Sequence, residues 1–199
     1  MVPLSHRHLE SMPTYFRLRD DMKIPGRWAL GAPLDPVGRE IAPWQFEKGR
    51  IVELDFTPRF PSFVSGAPLE FSCAAFGIPL VHGRFVRIFE QRGLQHEVQF
   101  IPARIDDVSE PYFILNALRT LRCIDEARSE EIEYWRPEHG EPERVGEYRA
   151  VYGLKIDPVK AAGADIFRTW GWSVALIVSE HLKQVLEEER ITGTTFTVV

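Results

Sequence analysis

Val174-Ala175-Leu176-Ile177-Val178-Ser179 opens the stretch that decides the fold, which runs on through Glu180-His181-Leu182-Lys183-Gln184-Val185-Leu186-Glu187 to Gly193 and Thr194-Thr195-Phe196-Thr197-Val198-Val199. Five apolar residues in a row read as a buried strand, and Ser179 stands where a helix N-cap belongs. Leu182, Val185 and Leu186 recur at helical spacing, with Glu180, Lys183, Gln184 and Glu187 on the other side. Gly193 then precedes a run of Thr, Phe and Val, which is strand chemistry.

Upstream, the same grammar recurs. Ile78-Pro79-Leu80-Val81-His82 is a short apolar run, followed by Phe85, Ile88 and Phe89 at helical spacing with arginines at 84, 87 and 92. Gly93 stops that helix, and Glu97 to Ile105 reads as a strand. A shift of 97 positions lays Leu182 on Phe85, Val185 on Ile88, Leu186 on Phe89 and Ile191 on Leu94. A duplication would explain this. So would the general need of a helix packed on a sheet to show one apolar stripe.

Further strands are expected at Tyr15–Arg19, Trp28–Leu30, Ile51–Phe56, Tyr112–Asn116 and Val151–Ile156, while prolines and a glycine in 57–68 exclude a long element there. Residues 1–13 read as a flexible polar arm. Residues 14–199 read as a single α+β domain, with a mixed or mainly antiparallel sheet and a few packed helices.

The chain has 199 residues, of which 44% are hydrophobic, and a net charge of -5. Such a chain is too apolar for disorder and, with two Cys, has no disulfide framework. No apolar run approaches the roughly 20 residues of a membrane helix, and the N-terminus lacks the order of a signal peptide. These readings predict a cytoplasmic protein with no membrane partner, and the acidic balance argues against a nucleic-acid partner.

Catalytic signatures are absent: there is no phosphate loop, no G-x-G-x-x-G, no H-E-x-x-H and no G-x-S-x-G. No catalytic, cofactor or metal residue is expected. Cys73 and Cys123 stand 50 positions apart and read as small buried hydrophobes. His6 and His8 lack further ligands, and Asp20-Asp21 and Asp106-Asp107 are turn chemistry, since adjacent strand positions face opposite sides. His82 and Ser179, each between a strand and a helix, leave open an alternative: a small hydrolase or other enzyme with a pocket between them. A small-molecule-binding or assembly module using the arm is another.

Residues 125–147 are the most unusual segment. Nine acids (Asp125, Glu126, Glu130, Glu131, Glu133, Glu138, Glu141, Glu143, Glu147) face three arginines, for a net charge of -6, while the rest of the chain sums to +1. Tyr134 and Trp135 lie inside this segment. Carboxylates that steer an encounter, with exposed aromatics as anchors, would make it a surface for a basic partner. A solvated loop whose aromatics fold back onto the core is the other reading.

Several short motifs in order carry a resemblance: Tyr15-Phe16-x-Leu18, Phe100-x-Pro102, Tyr112-x-x-Leu115-Asn116, Cys123-Ile124-Asp125 with Ser129, Ile166-Phe167-Arg168, Ile177-Val178-Ser179-Glu180-x-Leu182 and Thr192-Gly193. In these the chain resembles a bacterial immunity-protein family of polymorphic-toxin systems, formerly a domain of unknown function. The resemblance implies a protein that binds and neutralises a cognate protein toxin, with its oligomeric state left open. It also implies that Asn116, Asp125, Ser129, Arg168, Ser179 and Gly193 are framework, with Asp125 and Arg168 pairing across the fold. The toxin-specific surface would lie where the pattern is absent, at Ser129–Glu147: Glu130, Glu131, Glu133, Tyr134, Trp135, Glu138, Glu141 and Glu143.

Overall fold

A computed structural model describes residues 13–199; the expected arm, apart from Pro13, and the His6/His8 pair lie outside the described residues. The first half of the chain holds β1 (Tyr15–Asp20), β2 (Ala29–Leu30), β3 (Arg59–Phe60), β4 (Ser62–Val64), β5 (Phe71–Cys73), β6 (Pro79–His82), α1 (Gly83–Gln91) and β7 (Val98–Ile105). The second holds β8 (Tyr112–Ala117), β9 (Thr120–Leu121), β10 (Glu131–Tyr134), β11 (Tyr148–Tyr152), α2 (Pro158–Ala161), β12 (Ile166–Thr169), β13 (Trp172–Ser179), α3 (Glu180–Glu188) and β14 (Thr194–Val198). The architecture is α+β, and its pairings are antiparallel except β3 with β7 and β9 with β12.

Two five-stranded sheets carry the domain, in the orders β3-β7-β8-β6-β5 and β14-β1-β13-β12-β9. Four strands correspond in each. A hairpin (β5-β6 or β12-β13) leads into a nine-residue helix and then a strand (β7 or β14), which lies across an antiparallel neighbour (β8 or β1) from the strand before the helix. His82 and Ser179 cap the two helices, accepting from the Arg84 and Leu182 amides. Both helices end alike: Leu94 donates to the Phe89 carbonyl and Ile191 to that of Leu186, each at a shift of 97, with Gly93 and Arg190 at positive φ.

The antiparallel neighbour is exchanged between the halves. Tyr15-Phe16-Arg17-Leu18 of β1 and Tyr112-Phe113-Ile114-Leu115 of β8 are also 97 apart. Yet β1 sits beside β13 and β14, and β8 beside β6 and β7. The residues just before them, Thr14 and Pro111, accept the first amide of α3 and of α1. This strand-for-strand match is what a duplicated unit predicts.

Alternation along the strands builds three apolar clusters. The central one joins the inner faces of both sheets to both helices: Phe16, Leu18, Val81, Leu115, Leu176 and Val178 meet Phe85, Phe89, Leu182 and Leu186. On the first sheet's outer face, Tyr112, Ile114 and Leu80 pack with Trp28 and Phe46 from the segment after β1. On the second sheet's outer face, Tyr15, Ala175 and Ile177 pack with Ile124, Val151 and Ile156 from the segment after β8.

Two expected strands differ. Ile51–Phe56 is not a strand: exposure alternates there, but its bonds to the first sheet run through the Gln99 side chain, which exchanges hydrogen bonds with the Val52 backbone at 2.8 and 2.9 Å. The strand expected at Val151–Ile156 ends at Tyr152, because Gly153 turns with positive φ; Ile156 keeps only an isolated bridge to Ile124.

Cys123 is buried and Cys73 partly so, and burial pushes each thiol up to about 12. At pH 8 only on the order of one thiol in ten thousand is then ionised. Native protein should therefore take up iodoacetamide far more slowly at pH 8 than urea-unfolded protein. Alkylation at equal rates would contradict this burial.

Candidate functional site

The acidic segment is a hairpin rather than a loop. Its strands β10 and β11 pair antiparallel, with Glu131 opposite Tyr152, Ile132 opposite Val151 and Glu133 opposite Ala150, before a bulge at Glu133/Tyr134. Ile132 and Val151 face inward onto the cluster that covers the second sheet, and this fixes the hairpin to the domain. Period-2 alternation then turns Glu131, Glu133 and Tyr152 outward together. Residues 135–147 form the tip, built on two short turns, Pro137–His139 and Pro142–Arg144, that leave Glu138, Glu141 and Glu143 exposed.

Trp135 is not the exposed anchor that its setting suggested. Its ring lies under the Arg144 guanidinium at 4.4 Å, with Arg149 at 5.9 Å and the His139 ring edge-on at 5.7 Å. Arginines within the acidic hairpin thus hold its largest aromatic by cation–π contact. The Tyr134 ring lies 5.4 Å from that of Tyr148, tilted by 32°, and Tyr134 is 37% exposed. The most exposed aromatic of the hairpin is Tyr152, at 50%. Sequence reading passed over it, although the alternation Val151-in, Tyr152-out carries the signal.

The carboxylates divide into two groups. Glu133, Glu138 and Glu147 lie near Arg149, Arg136 and Arg144 at 3.2, 3.8 and 3.4 Å. Exposed pairs of this kind contribute about 0–1 kcal/mol each and exchange readily. Glu131, Glu141 and Glu143 form no ion pair among the described residues, and Glu130 packs over Gly153. At the hairpin's base, Glu126 accepts from the Tyr148 hydroxyl at 2.6 Å, and Tyr148 with Tyr134 holds its carboxyl below the usual range. Beside it lies a cleft of about 420 Å³ lined by residues of both signs, where the Arg122 guanidinium lies 3.3 Å from the Trp170 ring centroid.

The six framework residues lie apart from the hairpin's outer surface. Asp125 and Arg168 do not pair: Asp125 binds Arg128 at 2.5 Å, whereas Arg168 is buried in β12, donates to the Ser173 carbonyl at 2.6 Å and has Glu47 at 3.9 Å. They lie in different layers, one on the covering segment and one within the sheet. Ser129 accepts from the Lys155 amide and donates to the Asp125 carbonyl, while the Asn116 amide donates to Arg50 O and Gln99 Oε1. Gly193 has φ of 92°, and a Cβ there would collide with the Phe71 carbonyl. His82 and Ser179 use their side chains as caps, and neither lines the cleft beside Glu126.

No group of three or more candidate metal ligands occurs among the described residues, and no helix there is long and apolar enough to cross a membrane. The fold and this surface describe a scaffold that presents an acidic, aromatic-edged hairpin. By family, the chain belongs to the immunity protein family Imm11, whose model matches residues 4–199. No curated protein matches the chain.

Because Glu126 has a lowered pKa, any stability it contributes is present above the unfolded carboxyl value and is lost as pH falls through the folded one. Tyr148→Phe should raise the Glu126 carboxyl pKa, read by NMR titration of the side-chain carboxyl carbon. An unchanged midpoint would mean that the hydroxyl does not hold it.

Proposed function

We propose that the protein binds and neutralises a cognate toxin by protein–protein contact, and that the acidic hairpin covers a basic active site on that toxin. The observation that carries this reading is the concentration of charge. The net charge of -6 over residues 125–147 sits on a segment outside both sheets, on a chain that otherwise sums to +1. Toxins that act on polyanions present basic sites, and carboxylates held on a rigid hairpin match such a site in sign. Glu131, Glu133, Glu138, Glu141 and Glu143 supply the field, with Glu130 at the hairpin's root. Tyr134 and Tyr152 supply apolar contact, and Trp135 stiffens the tip from within. Neutralisation by occlusion requires no catalytic group on this chain.

Co-expression with the protein encoded by the neighbouring reading frame should rescue growth, and the two should co-purify. A neighbour that is harmless alone would remove the main support for the immunity reading. The triple variant Glu131→Lys, Glu141→Lys, Glu143→Lys should keep its melting temperature and lose at least about tenfold in affinity, roughly 1.4 kcal/mol, mainly through slower association. It should also lose the salt dependence of the wild type. Unchanged affinity would take the hairpin out of the interface.

A further inference from the structure

The two sheets differ at both matched edges: β9 lies parallel to β12 in the second sheet where β5 ends the first, and β3 and β14 mark the other difference. In the first sheet, the outer side of β7 is covered: β3 lies parallel to it with Arg59 opposite Arg104 and Phe60 opposite Ile105. The Arg104 and Asp106 amides donate to the Pro58 and Phe60 carbonyls at 2.9 and 3.1 Å. In the second sheet, β14 holds the matching position, and no strand pairs with its outer side among the described residues.

Hydrogen-bond phase shows which groups are left over. Val199 donates to the Tyr15 carbonyl and Asp21 to the Gly193 carbonyl, and the register sets Arg17 opposite Thr197 and Arg19 opposite Thr195. Odd-numbered residues of this strand therefore turn their backbone groups to β1. The N–H and C=O groups of Thr194, Phe196 and Val198 point the other way, to the open edge. Beside that edge, α3 and β14 enclose a groove of about 490 Å³ lined by Lys183, Glu187, Arg190 and Thr194–Phe196. Glu187 is bound to Lys183 at 2.6 Å, and Arg19 reaches Thr197 on the sheet's other face. Arg19 and Arg190 flank this edge and form no ion pair among the described residues.

We infer that the outer edge of β14 is a second docking surface, where an extended, carboxylate-bearing segment of the toxin adds as a sixth strand parallel to β14. The proposal rests on the immunity reading above. It takes its geometry from β3, which completes the equivalent edge within this same chain, and its partner chemistry from Arg190 and Arg19. Backbone pairing gives such a contact affinity, and the groove gives it side-chain preference. An acidic hairpin and a basic-flanked edge then grip the toxin at two places of opposite sign.

Amide hydrogen exchange by NMR tests it, using the full chain alone and bound to the toxic domain encoded by the neighbouring reading frame. In the free protein, Thr194, Phe196 and Val198 amides should exchange fast and Thr195 and Thr197 slowly; in the complex, the first three should become protected. Val198→Pro removes one outward donor and no bond to β1. It should keep the melting temperature and weaken binding at least tenfold, as should Val198→Glu, which sets a like charge against the segment's carboxylates, and Arg190→Glu should weaken it too. Full affinity of both Val198 variants, with no new protection at the three amides, overturns the docking edge while leaving the immunity reading intact. No binding by the wild-type chain ends that reading and this proposal with it. Protection already present in the free chain overturns the proposal as well. Its loss on deleting residues 1–12 would show the chain's own N-terminus as the occupant, and its growth with concentration a second copy.

Discussion

Two helices of nine residues, each with one apolar stripe, have to share a single layer. Helices this short are marginal alone, so α1 and α3 exist because Phe85, Ile88 and Phe89 on one and Leu182, Val185 and Leu186 on the other bury into the same cluster. Both sheets turn their inner faces to that cluster, and the exchanged strands β1 and β8 each carry residues of one half of the chain into the sheet of the other. Two carboxylates close its polar seam. Buried Glu97, at the start of β7, accepts from the Asp165 and Ile166 amides at 2.8 and 2.9 Å and binds Arg119 at 2.8 Å. Glu70, just before β5, accepts from the Thr192 amide at 3.0 Å and binds Arg84 at 2.9 Å. The second half thus supplies backbone donors to two carboxylates of the first.

A shared central layer leaves each sheet with an outer face that must also be covered. The covering segments fall between matched strands, at 21–70 and 118–165, and the buried apolar residues of each pack mainly on one sheet. Covering segments are constrained on their inner sides only, so their outer sides are free to differ. Net charge is -1 over 21–70 and -3 over 118–165, and the second segment concentrates its acids in 125–147, which alone sums to -6. Surface chemistry can change there without disturbing the layer beneath.

How much of this was legible depended on the range of the contact. The stretch 174–199 announced its strand, helix and strand because cap, stripe and glycine all lie within one helix length of each other. The exchange of β1 and β8 was not legible, although both spell Tyr-Phe-x-Leu, because pairing partners across 160 or more residues leave no local periodicity. Asp125 and Arg168 looked like partners because both are charged and both fall in family motifs, yet Arg128 stands three residues from Asp125 and satisfies it first. Trp135 looked exposed because its neighbours are acids; Arg144 and Arg149, approaching from across the hairpin, are what enclose it. The candidate site was legible as a charge excess, and its orientation became visible only with the register of Glu131 against Tyr152.

Where the halves agree, the residues serve packing; where they differ, packing has no account to give. His82 and Ser179 occupy the same place at a strand end and both cap a helix, which is sufficient reason for two polar side chains there. The matched hairpin turns diverge: Phe76 sits at φ of 62° and 63% exposed before Gly77, while Trp170 before Gly171 lies against Arg122. A bulky residue in that region costs about 1–2 kcal/mol, and an exposed ring recovers little of it from burial. The open edge of β14 is a larger divergence of the same kind, because the sequence contains, in β3, its own means of closing such an edge and applies it on one side only. Turns and sheet edges, where the halves differ, are therefore the positions that the shared core leaves free to vary.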